Sequence, residues 1–254
     1  MQNKELNPFR IEEKRGFYAK KSSLKKFIKL YSRKYPSISN KNSGSLWDNL
    51  NFSRSEKLQN SSIYLDKLSQ VLRLLKNKGG NLLDIGFGKG VIERELKNSD
   101  FSLFGIDISK KSVNELKESM KGNFVKGDVL KIPFGSKLFD FVLCLDVLEH
   151  ISPFNTFKAL REINRVSKPN SRLLISVPLN EGLEGMVRNG INPNAHVRVY
   201  TSDILKMELK ISGFNIEKEI QLTAFGKSYS VKKFLNGIFQ MRKPNLLILI
   251  AKKK

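Results

Sequence analysis

Three glycines at alternate positions, Gly86, Gly88 and Gly90, follow the apolar run Leu82-Leu83-Asp84-Ile85. Glycine at a strand-to-helix turn lets backbone come close to a ligand and tolerates positive φ. Asp107 ends the next apolar run, Phe104-Gly105-Ile106-Asp107, seventeen residues beyond Gly90. A carboxylate at such a strand end can accept hydrogen bonds from both hydroxyls of a ribose. Its bland alternative is a helix N-cap, a role that Ser109 fills better. The spacing excludes two common phosphate loops. A nicotinamide fingerprint needs glycine or alanine where Val91 stands, and a P-loop needs serine or threonine after Lys89, where Gly90 stands. His150 and His196 are the only histidines, and both fit proton exchange near neutral pH. Cys144 is the only thiol, so no intramolecular disulfide and no cysteine-rich zinc site can form. With so few soft ligands no metal centre is expected.

The elements that must position these residues alternate in type. Apolar runs at Asn81–Ile85, Leu103–Ile108, Phe139–Leu145 and Leu173–Val177 are separated by helical patterns at 90–98, 109–120 and 155–167. That alternation predicts a parallel sheet with helices on both faces. A helix at 201–212, a strand from Gly213-Phe214 to 221 and a strand at 244–251 complete the series. Upstream, 61–77 reads as a helix ended by Gly79-Gly80. Residues 35–52 read as a loop, because Pro, Ser, Asn and Gly dominate. Leu24, Phe27, Ile28 and Tyr31, set among lysines, form a short basic amphipathic helix. The link 222–243 combines Phe225, Tyr229, Phe234 and Phe239 with five Lys/Arg and no acid.

Three more segments complete an ordered set: Gly127-Asp128 with Pro133-Phe134, Phe139-Asp140 through Val147-Leu148-Glu149-His150, and Glu162-Ile163 through Lys168-Pro169. The order D-x-G-x-G-x-G, G-x-D, G-D-x-x-x-x-P-F, F-D-x-V-x-x-x-x-V-L-E-H and E-I-x-R-V-x-K-P resembles a class I S-adenosylmethionine-dependent methyltransferase. It is most similar to the type 11 small-molecule group, which includes quinone-biosynthesis enzymes. The resemblance spans 81–178 strongly and continues weakly through His196–Thr201. One departure is Asn170, where the family has glycine; Asn tolerates the left-handed turn.

The resemblance implies an α/β fold: a doubly wound, Rossmann-like sheet of seven strands with the last antiparallel, carrying a helical N-terminal cap. Residues 1–80 would be the basic cap and 81–254 the S-adenosylmethionine-binding methyltransferase domain. By the same resemblance Gly86, Gly88 and Gly90 lie against the cofactor. Asp84 steadies the loop and the methionine end, and Asp107 takes the ribose. Asp128 and Val129 meet the adenine, while Cys144, Leu145 and Asp146 stand beside the methionine moiety. His196 and His150 are the candidate catalytic bases, needed only if the nucleophile must lose a proton.

Composition narrows the partners. The net charge is +22, with 34 lysines against 12 arginines. The excess favours anionic partners, but arginine is the usual reader of bases and phosphates. With no base-amino or cytosine-C5 motif, nucleic acid is disfavoured. The reading is methyl transfer to O or C of a small-molecule or lipid-linked acceptor. RNA or protein methylation stands as the alternative, and non-catalytic cofactor binding as the second. No secretory signal or run of about 20 apolar residues is present, so the expected location is cytoplasmic, with peripheral contact at an anionic membrane.

Overall fold

The computed structural model describes residues 43–53, 61–190, 192, 194–225, 228–239 and 242–254. The amphipathic helix expected around 24–31 lies outside them. Seven strands form one sheet: β1 (Gly79–Ile85), β2 (Asp100–Asp107), β3 (Asn123–Lys126), β4 (Phe139–Leu145), β5 (Ser167–Pro178), β6 (Phe214–Leu222) and β7 (Leu246–Lys253). The order is β3-β2-β1-β4-β5-β7-β6. Neighbours from β3 through β5 are parallel, and β7 runs antiparallel to both β5 and β6. The expected sheet, with its reversed last strand, is therefore present.

The helices are α1 (Gly44–Ser53), α2 (Ser62–Leu75), α3 (Val91–Glu95), α4 (Lys110–Ser119), α5 (Pro153–Val166), α6 (Leu183–Arg188), α7 (Ser202–Ile211) and α8 (Tyr229–Phe239). Strand side chains alternate between faces. Leu82, Leu143 and Leu174 pack with Val71 and Leu75 of α2 and Val113 and Leu116 of α4. Leu83, Val142 and Ile175 pack on the other face, with Phe157 and Leu160 of α5 and Leu205 and Leu209 of α7. Both faces are covered, which is why β1 and β4 read as continuous apolar runs. Local signals start the helices: Ser109 Oγ accepts from Ser112 N at 3.1 Å, and Pro153 opens the first turn of α5.

The structure corrects several boundaries. The helix α1, Gly44–Ser53, occupies the second half of the 35–52 stretch expected to be a loop. Ser43 Oγ accepts from Leu46 N at 3.3 Å at its start. Asp48 fixes it to α4 by accepting from Ser109 Oγ at 2.6 Å and Lys111 N at 3.0 Å. Tertiary docking overrides the loop-like composition here. Gly79 and Gly80 pair with Asp100 and Phe101 in the sheet, and α2 already ends at Leu75. Asn170 does take φ 62°, and it lies in a register irregularity near the start of β5 rather than in a turn that precedes the strand.

Candidate active site

The chain winds outward from β1 to β3, then crosses back to lay β4 on the other side of β1. A crevice opens outside the carboxyl ends of the strands at such a reversal. Three adjoining cavities occupy it here, of about 280, 180 and 510 Å³. Trp47 of α1 and Asp146 line all three.

The first two cavities follow the glycine loop. Gly88, at φ 57°, lines both, and a Cβ added there would meet nothing within 4 Å. Its bare backbone faces the space a ligand would fill. Gly86, also on both walls, has φ 75°, and a Cβ would stand 2.7 Å from Val147 Cγ2. Gly90 lines neither; at φ 67° its Cβ would strike Leu116 Cδ1 at 2.4 Å, so it serves the packing of the loop on α4. Asp107 is buried at the edge of the second cavity. Its carboxylate accepts from Gly88 N and Ser109 N, each at 2.8 Å. Burial raises its pKa, while those two N–H groups pull it back down. A carboxylate has about four lone-pair positions, so two remain for a diol. Asp128 and Val129 line the same cavity, with Asp128 Oδ1 accepting from Leu130 N at 2.8 Å.

Asp84 lines the first cavity beneath the loop, almost fully buried. Burial pushes its carboxyl to about 6. The cause of its company is Glu93 of α3, a buried acid that the sequence reading missed. Glu93 has no donor for either oxygen, and burial with the neighbouring Asp84 pushes its pKa well up. Both carboxyls are thereby pushed toward keeping a proton. Leu145 lines the first cavity, whereas Cys144, one position back along β4, points into the core and lines none of the three. Burial drives the Cys144 thiol far above its usual value, which leaves it inert.

Asp146 sits just past β4 with φ 56°, a conformation that non-glycine residues hold only when their surroundings enforce it. Ser176 Oγ donates to its Oδ1 at 2.6 Å, and Lys67 Nζ of α2 to its Oδ2 at 2.5 Å. Despite burial, these partners keep its carboxyl below the ordinary range, with Lys67 contributing most.

The third cavity brings the two histidines together. His150 ends the 3-10 turn Leu148–His150, and His196 comes from the loop between α6 and α7; their ring centroids are 4.8 Å apart. His150 Nδ1 is 3.2 Å from the Ala195 carbonyl, and His196 Nδ1 is 2.7 Å from Glu181 Oε2. His196 Nε2 faces Glu149 Oε1 at 3.9 Å. Both Glu149 carboxylate oxygens are buried without a hydrogen-bond partner, and burial raises that carboxyl well above its ordinary value. The loop holding His196 is anchored by Val197 N donating to Glu149 O at 2.9 Å. Arg198 fixes it further, donating to Thr156 Oγ1 at 2.6 Å and Glu208 Oε1 at 2.8 Å. Lys67, Glu181 and Trp47 are site residues that the sequence did not single out; only Ser43, a capping residue before Leu46, Trp47 and Leu50, carried a local signal.

A family model described as a methyltransferase domain matches residues 59–219, well over half of the chain. An uncharacterised protein of Methanocaldococcus jannaschii is 34% identical over 122 residues, covering 48% of this chain and 51% of that one. A ubiquinone biosynthesis O-methyltransferase of Pelagibacter ubique is 32% identical over 117 residues, 43% of this chain and 46% of its own length. The chain thus spans about half the length of these curated relatives. Among solved structures, the N-methyltransferase NodS of Bradyrhizobium japonicum, in complex with S-adenosyl-L-homocysteine, superposes with TM-score 0.62 at 15% identity. That match covers 84% of this chain and 99% of NodS, and it speaks for the fold alone.

Proposed function

Since the chain belongs to the methyltransferase-domain family, we propose that it methylates an oxygen of a small-molecule or lipid-linked acceptor, with S-adenosylmethionine as donor. The donor supplies a methyl carbon on a sulfonium sulfur, ready for in-line displacement. The residues fit such a cofactor: the open backbone at Gly88, the buried diol acceptor Asp107, Asp128 and Val129 beyond it, and Asp84, Leu145 and Asp146 at the other end. Gly86 lets the loop pass close to Val147, and Gly90 seats it on α4.

The observation that carries the acceptor reading is the third cavity. Its wall holds Glu149, His150, Glu181 and His196, and it meets the first two cavities at Asp146 and Trp47. Groups able to take or orient a proton favour a hydroxyl, which must lose one to be methylated, over a carbon. His196, steadied by Glu181, is the leading base, and His150 stands beside it. Trp47 of α1 lines the junction of the three cavities.

Access from a membrane surface is supported by α8. Val231, Phe234, Ile238 and Phe239 are each more than half exposed. Lys232, Lys233, Arg242 and Lys243 flank them. The helix is tethered to α2 by Tyr229 Oη and Lys233 Nζ, which donate to Asp66 at 2.8 and 2.6 Å. An apolar stripe edged by lysine suits an anionic bilayer surface. No described helix is long and apolar enough to cross one.

The test uses S-adenosylmethionine labelled in its methyl group, incubated with the protein and lysate of its source organism. Label in lipid or small-molecule fractions supports the reading. Label in RNA or protein replaces the acceptor class, and no label with cofactor binding intact replaces methyl transfer by a non-catalytic role.

A further inference from the structure

The scarcity of histidine counts against a metal centre in the sequence, yet the fold brings both histidines to one point. One ring nitrogen each of His150 and His196 and one carboxylate oxygen of Glu149 lie within 4.8 Å of one another. We propose that Glu149, His150 and His196 bind a divalent first-row transition-metal ion at the wall of the third cavity, where it holds the acceptor's hydroxyl oxygen. This rests on the acceptor reading above for its role, though not for the binding itself.

Three observations support it. Both oxygens of Glu149 are buried with no hydrogen-bond partner, an arrangement that costs about 1–3 kcal/mol unless something pairs with them. His196 is oriented through the nitrogen opposite the one that faces Glu149. Glu181 holds His196 Nδ1 at 2.7 Å, and the Ala195 carbonyl holds His150 Nδ1 at 3.2 Å. A proton on Nδ1 leaves the Nε2 lone pair for a metal, and carboxylates or carbonyls in that position are the usual orienting partners of metal-bound histidine. Charge agrees as well. Among the described residues, Glu149, Glu181 and Asp146 share the cavity with a single ammonium, Lys67, which is already paired with Asp146. A dication balances that surplus.

Two imidazoles and one carboxylate suit manganese, iron, cobalt or zinc ions rather than magnesium or calcium, which favour oxygen ligands. Three protein ligands leave coordination positions for an oxygen from the cavity. An oxygen bound there loses its proton far more readily than in water. With the ion in place the two histidines act as ligands that set up the acceptor, in place of the base role given to His196 above, and the proton leaves to solvent through the mouth of the cavity.

The experiment needs neither cofactor nor acceptor. The full chain without a histidine tag is titrated with Co²⁺, followed by calorimetry and visible absorption, and with Cu²⁺ followed by pulsed electron paramagnetic resonance. We expect one equivalent bound and coupling to two imidazole nitrogens. Because the chain has only two histidines, two such couplings identify this site alone. Glu149→Gln and His196→Ala should weaken Co²⁺ at least about 10-fold, and Glu181→Gln by about 10–100-fold through misorientation of His196. Wild-type protein with no bound Co²⁺, or coupling to fewer than two imidazoles, overturns the site even if every variant fails to fold. Failure here leaves methyl transfer to the labelling experiment, and failure there leaves the metal result standing.

Discussion

On the β1–β2 side of the crevice, Asp107 is held by the N–H groups of Gly88 and Ser109, nineteen and two residues away. On the β4–β5 side, Asp146 is held by Lys67, seventy-nine residues away, and His196 by Glu181, fifteen residues away across α6. The first side builds its wall from backbone and from single acids inside short motifs. The second builds it from side chains of separate segments, paired across the cavity. Backbone walls of the first kind suit a ligand that is the same in every relative, while paired side chains are free to change with the acceptor.

Removing an acid from the first side tests that division most severely. Asp107→Ala deletes an acceptor for two hydrogen bonds worth about 1.5–3 kcal/mol each. S-adenosylhomocysteine should then bind at least about 100-fold more weakly by calorimetry. An unchanged affinity would dissolve the distinction between the two sides. On the second side, His196→Ala should lower turnover by about 100-fold with cofactor affinity unchanged. A large affinity loss would move His196 into the cofactor wall.

The smallest effect sharpens the comparison within the first side. Asp84 and Glu93 keep a proton in the folded chain that the unfolded chain gives up above its ordinary carboxyl values of 3.8 and 4.5. Because the folded pKa values are raised, the pair's contribution is full below those values. It is lost as pH rises through about 6 and beyond, at up to about 1.4 kcal/mol per pH unit for each proton. Thermal melts at mildly acidic and mildly alkaline pH should show wild type losing more stability on the alkaline side than Glu93→Gln. Equal losses would mean that the two carboxyls are not pushed toward keeping a proton.

This division also explains what could be read from the sequence. The run Phe139–Leu145 matches β4 residue for residue, because buried parallel strands are apolar throughout. The glycine loop and Asp107 were legible because their spacing is local. The α1 helix was not, since its stability comes from Asp48 reaching Ser109, sixty-one residues on. The four-residue β3 is too short to carry a periodicity, and α6 and α8 were likewise unmarked. Both histidines were found as residue types, but their meeting with Glu149 and Glu181 is a product of the β4 and β5 loops closing on each other. Glu93 looked like an ordinary helix acid; only burial against Asp84 makes it unusual.

Trp47 is the chain's only tryptophan, and it lines every one of the three cavities, with its ring edge-on to His150 at 4.7 Å between centroids. Excited at wavelengths beyond tyrosine absorption, the protein's ultraviolet emission therefore comes from a single indole at the junction of the crevice. Filling any of the three spaces changes the solvent around that indole, so its colour and brightness report occupancy in real time. The molecule carries its own optical gauge, with no dye to attach and no second indole to subtract.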